Sequence, residues 1–169
     1  MSIETNARRA KLADKSFREK VKRLIGRRSF CSLATVSPDG KPHVVAIGYK
    51  FINQHIYFNT LRSSKKARNI ETNPNIAIQI SVRKYPLGPP FSIQFAGQGC
   101  ILSREDPEIV DLLKAGKLKG ITTGVLKEPD LCFVKVKPAS KIHTYGIGLS
   151  LLQLLRATAH ADRTVIFED

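Results

Sequence analysis

Six short, closely spaced strands constrain the fold of this chain more than any other feature of its sequence. Apolar and β-branched runs, several of them alternating with polar residues, recur between turn signals, and only short helical patterns separate them. The predicted strands are 30–36, 42–51, 55–60, 75–82, 91–103 and 131–136, with 141–145 expected to continue the last one. This spacing predicts a mostly β protein with peripheral helices, built on a small antiparallel barrel.

Turn residues mark where one predicted strand ends and the next begins. Segment 37–41 has a proline at the first turn position and a glycine where a positive φ is favoured, which is typical of a hairpin loop. Asn53 and Gln54 form a second turn. Gly97 and Gly99 interrupt the long strand and predict a bend in it. Segment 83–90 is proline-rich and is not expected to be regular structure.

Four short helices are expected around the sheet. Ser16 and Glu19 form a capping box that predicts the start of the first helix, whose apolar stripe packs on the core and which ends at Gly26. The residues before Ser16 are polar and are expected to be only loosely helical. The other helices are predicted over Lys65–Thr72, from Asp106 and Pro107 to Gly116, and over 149–157.

The segment 56–75 joins a strand directly to a short helix. The first turn of a helix presents unpaired backbone N–H groups, and here the junction also carries two hydroxyls and three cations. The side chains concerned are those of Arg62, Ser63, Ser64, Lys65 and Lys66. Two interpretations remain open: a seat for a phosphate group, or a serine cap followed by solvated lysines. Lysines at a helix start oppose the helix dipole, which favours the phosphate seat.

Length and composition fit one globular domain covering residues 1–169, with a basic helical segment at about 1–28. The net charge of +14 predicts attraction to polyanions or phosphorylated ligands. Nucleic-acid binding by the basic segment is therefore a second hypothesis, although aromatic stacking residues do not alternate with its cations.

Three separated cysteines, an absent apolar leader and the lack of a membrane-length apolar run predict a cytoplasmic protein without membrane contact. All three thiols, Cys31, Cys100 and Cys132, have apolar neighbours and are expected to be buried and inert. No metal site is expected, because no C-x-x-C pair or H-E-x-x-H motif occurs.

The run from residue 30 to residue 82 resembles the pyridoxamine 5′-phosphate oxidase-like FMN-binding split barrels. The order and spacing of several short motifs carry the resemblance, which covers about half of the chain. The motifs are Leu33-Ala34-Thr35-Val36, Pro38-Asp39-Gly40-Lys41-Pro42-His43, Ile56-Tyr57-Phe58-Asn59-Thr60, Ser64-Lys65-Lys66-Ala67, Asn69, and Asn73-Pro74, with a looser match at Phe95-Ala96-Gly97.

The resemblance implies a homodimeric split β-barrel with FMN bound between the subunits. By analogy, Ser64, Lys65 and Lys66 hold the flavin phosphate, and Thr60 lies near the ribityl–phosphate end. The backbone of Val45, Ala46 and Ile47 would line the isoalloxazine ring. Such a protein is a flavin-dependent oxidoreductase that transfers hydride between the flavin and a small substrate, since the flavin supplies the redox chemistry.

The chain departs from authentic pyridoxamine phosphate oxidases near its C-terminus. Those enzymes have Arg-x-His, whereas this chain has Lys141-Ile142-His143, and a lysine cannot make the bidentate contacts of an arginine. The family's glutamine ahead of the long-strand glycine falls on Ser92. These differences predict a flavoprotein without vitamin B6 activity.

The sequence leaves several functions open. The motifs do not separate FMN from deazaflavin, and related barrels bind heme. A non-catalytic flavin carrier and a nucleic-acid-binding protein are also compatible with the residues. No catalytic acid, base or nucleophile is identified, and His43 and His143 are the two histidines worth testing.

Overall fold

A computed structural model of the protein describes residues 3–82, 91–156 and 161–167, with side chains for all of these except 3–13, 151 and 155. The proline-rich segment predicted at 83–90 lies outside these ranges, as does the predicted end of the last helix at Ala157.

Nine strands and four helices form within the described residues. The strands are β1 (Phe30–Val36), β2 (Pro42–Gly48), β3 (Lys50–Ile52), β4 (His55–Leu61), β5 (Asn75–Val82), β6 (Phe91–Leu102), β7 (Leu131–Pro138), β8 (Lys141–Tyr145) and β9 (Asp162–Ile166). The helices are α1 (Ile3–Arg27), α2 (Lys65–Thr72), α3 (Pro107–Lys114) and α4 (Leu151–Arg156). The mostly β fold with peripheral helices is confirmed.

All the strands belong to one antiparallel sheet, in the order β2-β1-β5-β6-β7-β4-β3, with β8 paired to β6 and β9 to β8. The prediction of a single strand over 42–51 is wrong, because β2 and β3 lie at opposite ends of this order. Tyr49, between them, is buried and bonds to the end of α1 and to the segment that follows it: its hydroxyl donates to Ile25 O at 2.7 Å and its N–H to Ser29 O at 2.8 Å. The chain therefore crosses from one edge of the sheet to the other, and the sheet curls into a half-barrel.

Strand β6 changes its partner along its length. Its first part pairs with β8 and its part from Gly97 onward pairs with β7. A Cβ on Gly97 would lie 2.7 Å from Lys137 O, so only glycine fits where the partner changes. The expected continuation of β7 through 141–145 is wrong, because β8 is a separate strand on the other part of β6.

Helix α1 begins at Ile3, so the capping box at Ser16 does not start a helix. The preceding residues are rich in Ala, Arg and Lys, which favour helix, and the helix runs through Ser16. The predicted apolar stripe is confirmed: Phe17, Val21 and Ile25 are buried in the main core.

The three cysteines differ in their surroundings. Cys31 and Cys132 are buried, and burial raises the pKa of the Cys31 thiol to about 12, so it is inert as predicted. Cys100 is exposed, and its predicted burial is wrong. It lies on the outward-facing side of β6, one residue beyond the buried Gly99.

An ion pair and a tyrosine attach α3 to the sheet. Lys135 Nζ donates to the Glu108 carboxylate at 2.8 Å, and the buried Tyr57 hydroxyl donates to the same group. These bonds, that of Lys135 first, hold the pKa of Glu108 below its usual range. Because the pKa of Glu108 is lower in the folded state, its ionised form stabilises the fold at pH values above the ordinary glutamate pKa of about 4.3. This stabilisation is lost as the pH falls through the folded-state pKa.

Replacing Glu108 by Gln is therefore expected to lower the free energy of unfolding at neutral pH by about 0.5–1 kcal/mol, since the partly exposed pair is screened by water. The loss should shrink as the pH falls below about 4.3. Urea denaturation at a series of pH values measures both effects. Glu128→Gln, at an exposed carboxylate, is the control, and a Glu108→Gln curve parallel to the native one would contradict the assignment.

Candidate functional site

The junction between β4 and α2 brings two hydroxyl groups together. Thr60 is buried at the end of β4, and its Oγ1 lies 3.0 Å from Ser64 Oγ. Ser64 is the N-cap of α2, and its hydroxyl accepts a hydrogen bond from Ala67 N at 3.3 Å. The helix covers Lys65–Thr72 as predicted, and the capping interpretation of Ser64 is confirmed.

Capping leaves Ser64 able to bind an anion. A serine oxygen accepts two hydrogen bonds and donates one. When Thr60 donates to Ser64, both acceptor positions of Ser64 are filled, by Thr60 and by Ala67 N–H. The Ser64 proton is then available to a further acceptor. The two interpretations left open by the sequence are therefore compatible.

The first two residues of α2 are Lys65, which is exposed, and Lys66, which is half-buried. Their backbone N–H groups have no hydrogen-bond partner among the described residues, as is usual for the first turn of a helix. The first turn contains no acidic residue. Each lysine opposes the helix dipole at a cost of about 0.3–1 kcal/mol, and a bound anion would remove this cost.

Arg62 and Ser63, which the sequence placed in the same cluster, are engaged by the protein itself. Arg62 Nε donates to Glu71 Oε1 at 2.8 Å, and Ser63 N–H donates to Asp130 Oδ2 at 3.0 Å. The bonds from Ser63 lower the pKa of Asp130 below its usual range, so the carboxylate is ionised at neutral pH. Asp130 gave no sequence signal, because 67 positions separate it from Ser63.

A buried amide fixes α2 against the first hairpin. Asn69 is buried, and its Nδ2 donates to Thr35 Oγ1 at 2.9 Å. Thr35 Oγ1 in turn donates to His43 O at 3.5 Å, so α2 is connected to both β1 and β2. The sequence motif contained Asn69 but gave it no role. Its hydrogen bond holds the middle of α2 against the first hairpin.

Residues Val45, Ala46 and Ile47 lie in β2, at one end of the strand order. Within the described ranges β2 pairs only with β1, so part of its backbone N–H and C=O groups face away from any strand. Val45 is half-buried and Ile47 is buried against the core, whereas Ala46 is exposed. Cα atoms of β2 and β4 approach within 8 Å although the strands are not paired.

The outer face of the sheet contains a cavity of about 330 Å³ beside β2. It is lined by Val44 of β2 and by a row of residues in register across the neighbouring strands: Ser32, Gln79, Gln94 and His143. His143 Nδ1 lies 3.1 Å from Thr164 Oγ1. On the same face two apolar side chains are exposed to an unusual degree: Phe30 is 71% and Val44 64% exposed.

His43, the other histidine worth testing, is half-buried in β2, and its Nδ1 has no hydrogen-bond partner within the described ranges. Among the described residues, no three or more His, Cys, Asp or Glu side chains are grouped so that they could hold a metal ion. No helix within those ranges has the length and apolar character needed to cross a membrane.

A curled antiparallel sheet with this strand-to-helix junction defines a split-barrel protein. The family model described as pyridoxamine 5′-phosphate oxidase matches residues 17–139, which is more than half of the chain. The chain therefore belongs to this family, and the resemblance seen in its motifs is confirmed.

Solved structures agree with this family. HutZ, the heme storage protein of Vibrio cholerae, is 19% identical with a TM-score of 0.64, covering 73% of this chain and 91% of its own. An F420 reductase is 25% identical with a TM-score of 0.55, covering 72% and 94%. General Stress Protein 26 of Bacillus anthracis str. Sterne is 26% identical with a TM-score of 0.56, covering 75% and 91%. No curated protein matches the chain in sequence.

Proposed function

We propose that this protein binds FMN by its phosphate at the β4–α2 junction and acts as a flavin-dependent oxidoreductase on a small substrate. The observation that carries the proposal is the pair of lysines in the acid-free first turn of α2, next to the Thr60–Ser64 hydroxyl pair. Directed donors and positive charge at one point are what a phosphate group requires.

Each residue of the junction has a distinct task in this proposal. The N–H groups of Lys65 and Lys66 and the Ser64 hydroxyl donate to phosphate oxygens, while the two ammonium groups supply charge. Thr60 orients the Ser64 hydroxyl by its hydrogen bond at 3.0 Å. Asn69 holds α2 against the first hairpin. A bound flavin supplies hydride transfer, and the protein holds and orients the ring.

The rest of the site requires a second copy of the chain. We place the ring along the free edge of β2, against the backbone of Val45, Ala46 and Ile47. The exposed apolar side chains of the outer sheet face, with Val44 among them, would then be covered by the partner in a homodimer. The cavity between Val44 and His143 would hold the substrate. Residues 1–169 would form one domain of this kind.

Deazaflavin is the second candidate cofactor. The F420 reductase is 25% identical over 72% of this chain. The proposed contacts involve only the phosphate, so they do not distinguish one ring system from the other. The relationship to HutZ, at 19% identity, supports the fold alone and gives no preference for heme.

The absorbance spectrum and mass of whatever co-purifies with the native protein test this function. We expect a flavin spectrum, with the flavin released on denaturation. Protein that purifies without cofactor should be titrated with FMN, deazaflavin and heme in parallel. Binding of heme alone, or of none of the three, would refute the proposal. Tight flavin binding without turnover by any nicotinamide donor would identify a flavin carrier instead of an enzyme.

Asp130→Asn is expected to tighten FMN binding by about two- to fivefold, because it removes an exposed negative charge beside the phosphate seat. Asparagine can still accept from Ser63 N–H, so the loop geometry is kept. Fluorescence titration with FMN and with riboflavin, which lacks the phosphate, measures the effect. Asp111→Asn, at an exposed carboxylate of α3, is the control. Equal changes for FMN and riboflavin would mean that Asp130 acts on the loop and not on the phosphate.

A further inference from the structure

The net positive charge of this protein is far larger than a phosphate site with two lysines requires. Residues 1–28 contain ten basic and three acidic residues, which accounts for half of the net charge of +14. A phosphate seat built from Lys65 and Lys66 explains none of this excess.

One side of α1 exposes three cations in a row. Lys20, Arg23 and Arg27 are exposed and are spaced by three and four positions, so they lie on the same side of the helix. None of the three forms an ion pair with a described residue. Like charges at this spacing destabilise a helix, since neighbours three and four apart repel each other. An anionic partner would remove that cost.

The acidic residues of this part of α1 do not neutralise the row. Glu19 pairs with Lys22 at 3.7 Å, and Asp14 pairs with Arg163 of β9 at 3.8 Å. Both carboxylates are therefore engaged with cations outside the row. The row still has a net positive charge, although Glu19 lies four positions before Arg23.

Two further segments carry cations near the end of α1. The end of α1 lies against β3, where a Cβ on Gly26 would be 3.8 Å from the Phe51 ring. Lys50, the preceding residue of β3, points to the face opposite Phe51 and reaches the turn at Gly120, where a Cβ would lie 3.6 Å from Lys50 Nζ. Lys117 and Lys119 are exposed in this turn, and no acidic residue occurs between positions 114 and 127.

We propose that the exposed row of Lys20, Arg23 and Arg27 on α1 binds the phosphate backbone of nucleic acid without regard to sequence, and that Lys50, Lys117 and Lys119 add to the positive field near the end of the helix. Several lysines and arginines on one surface are the electrostatic footprint of such binding. The apolar stripe of α1 is buried in the core, so this helix has no apolar face to insert into a bilayer. That burial favours nucleic acid over a membrane surface as the partner.

The test is fluorescence anisotropy of the full chain with a labelled duplex of about 20 base pairs, from about 50 to 200 mM salt. We expect binding that weakens steeply with salt. The variant Lys20→Gln, Arg23→Gln, Arg27→Gln should lower the slope of log K against log salt by about 2–3, since each lost phosphate contact contributes about 0.9.

The matched control removes three exposed cations from other segments, as Lys41→Gln, Arg68→Gln, Arg104→Gln. It should leave the slope nearly unchanged, and circular dichroism verifies that both variants are folded. Absence of binding by the native chain at about 50 mM salt would overturn the proposal. So would equal losses in the two variants, which indicate a diffuse field, or binding to phosphatidylglycerol vesicles without binding to the duplex.

Discussion

Replacing Lys66 by Ala is expected to weaken FMN binding by about 1.5–3 kcal/mol, a roughly 10- to 150-fold rise in Kd. Lys66 is half-buried at the second position of α2, whereas Lys65 at the first position is exposed. The loss corresponds to one charge-assisted hydrogen bond to the phosphate. Quenching of flavin fluorescence on titration with protein measures it.

Two comparisons determine whether Lys66 acts on the phosphate. Riboflavin has the same ring but no phosphate, so its affinity should be the same for the native protein and for Lys66→Ala. Lys20→Ala removes an equal charge from the exposed side of α1 and should leave FMN affinity unchanged. Equal losses in Lys66→Ala and Lys20→Ala would mean that positive charge acts diffusely and that the junction is not the phosphate site.

Features encoded within a few neighbouring residues were predictable from the sequence. The sequence predicts helix α2 over its full length because Ser64 caps its start and Asn73 ends it. Asp106 and Pro107 likewise marked the start of α3, where Asp106 accepts from Glu108 N. The strand-to-helix junction follows from these local signals, which is why its lysines and hydroxyls could be named in advance.

Features created by contacts between distant segments were not predictable in this way. Nothing near Tyr49 signals that its backbone bonds to Ser29 and not to a strand, so the division of 42–51 into β2 and β3 was missed. Asp130 reaches Ser63 only after β4 pairs with β7. The pairing of Arg62 with Glu71, nine positions away, removed one cation from the expected cluster.

The same difference between local signals and distant contacts explains why the sequence predicts a phosphate-bearing cofactor but does not distinguish FMN from deazaflavin. A phosphate is recognised by short-range donors in one turn, and those are local in the chain. The ring and the substrate would be recognised by β2, by the cavity beside His143, and by a partner subunit. Residues from β1, β5, β6 and β8 reach that cavity only through the sheet register.

Replacing Val44 by Glu tests whether the outer sheet face is the subunit interface. Val44 is 64% exposed in the single chain, so the substitution should change monomer stability by no more than about 0.5 kcal/mol. An unpaired carboxylate buried between two subunits costs several kcal/mol, which would raise the dimer Kd at least about 100-fold. Sedimentation velocity should then show a monomer in place of the proposed dimer. FMN affinity should also fall, because the flavin ring would lose its contacts with the partner subunit.

Leu152→Glu is the matched control, since Leu152 is 57% exposed on α4, a helix that packs on the main core through Leu154 and does not line the cavity of the outer face. It should leave both the dimer and FMN binding intact. The two measurements also separate the parts of the proposal. A Val44→Glu protein that stays dimeric would show that the interface lies elsewhere. A monomer with native FMN affinity would show that one chain holds the flavin alone, because the lysines and hydroxyls of the β4–α2 junction all belong to a single subunit.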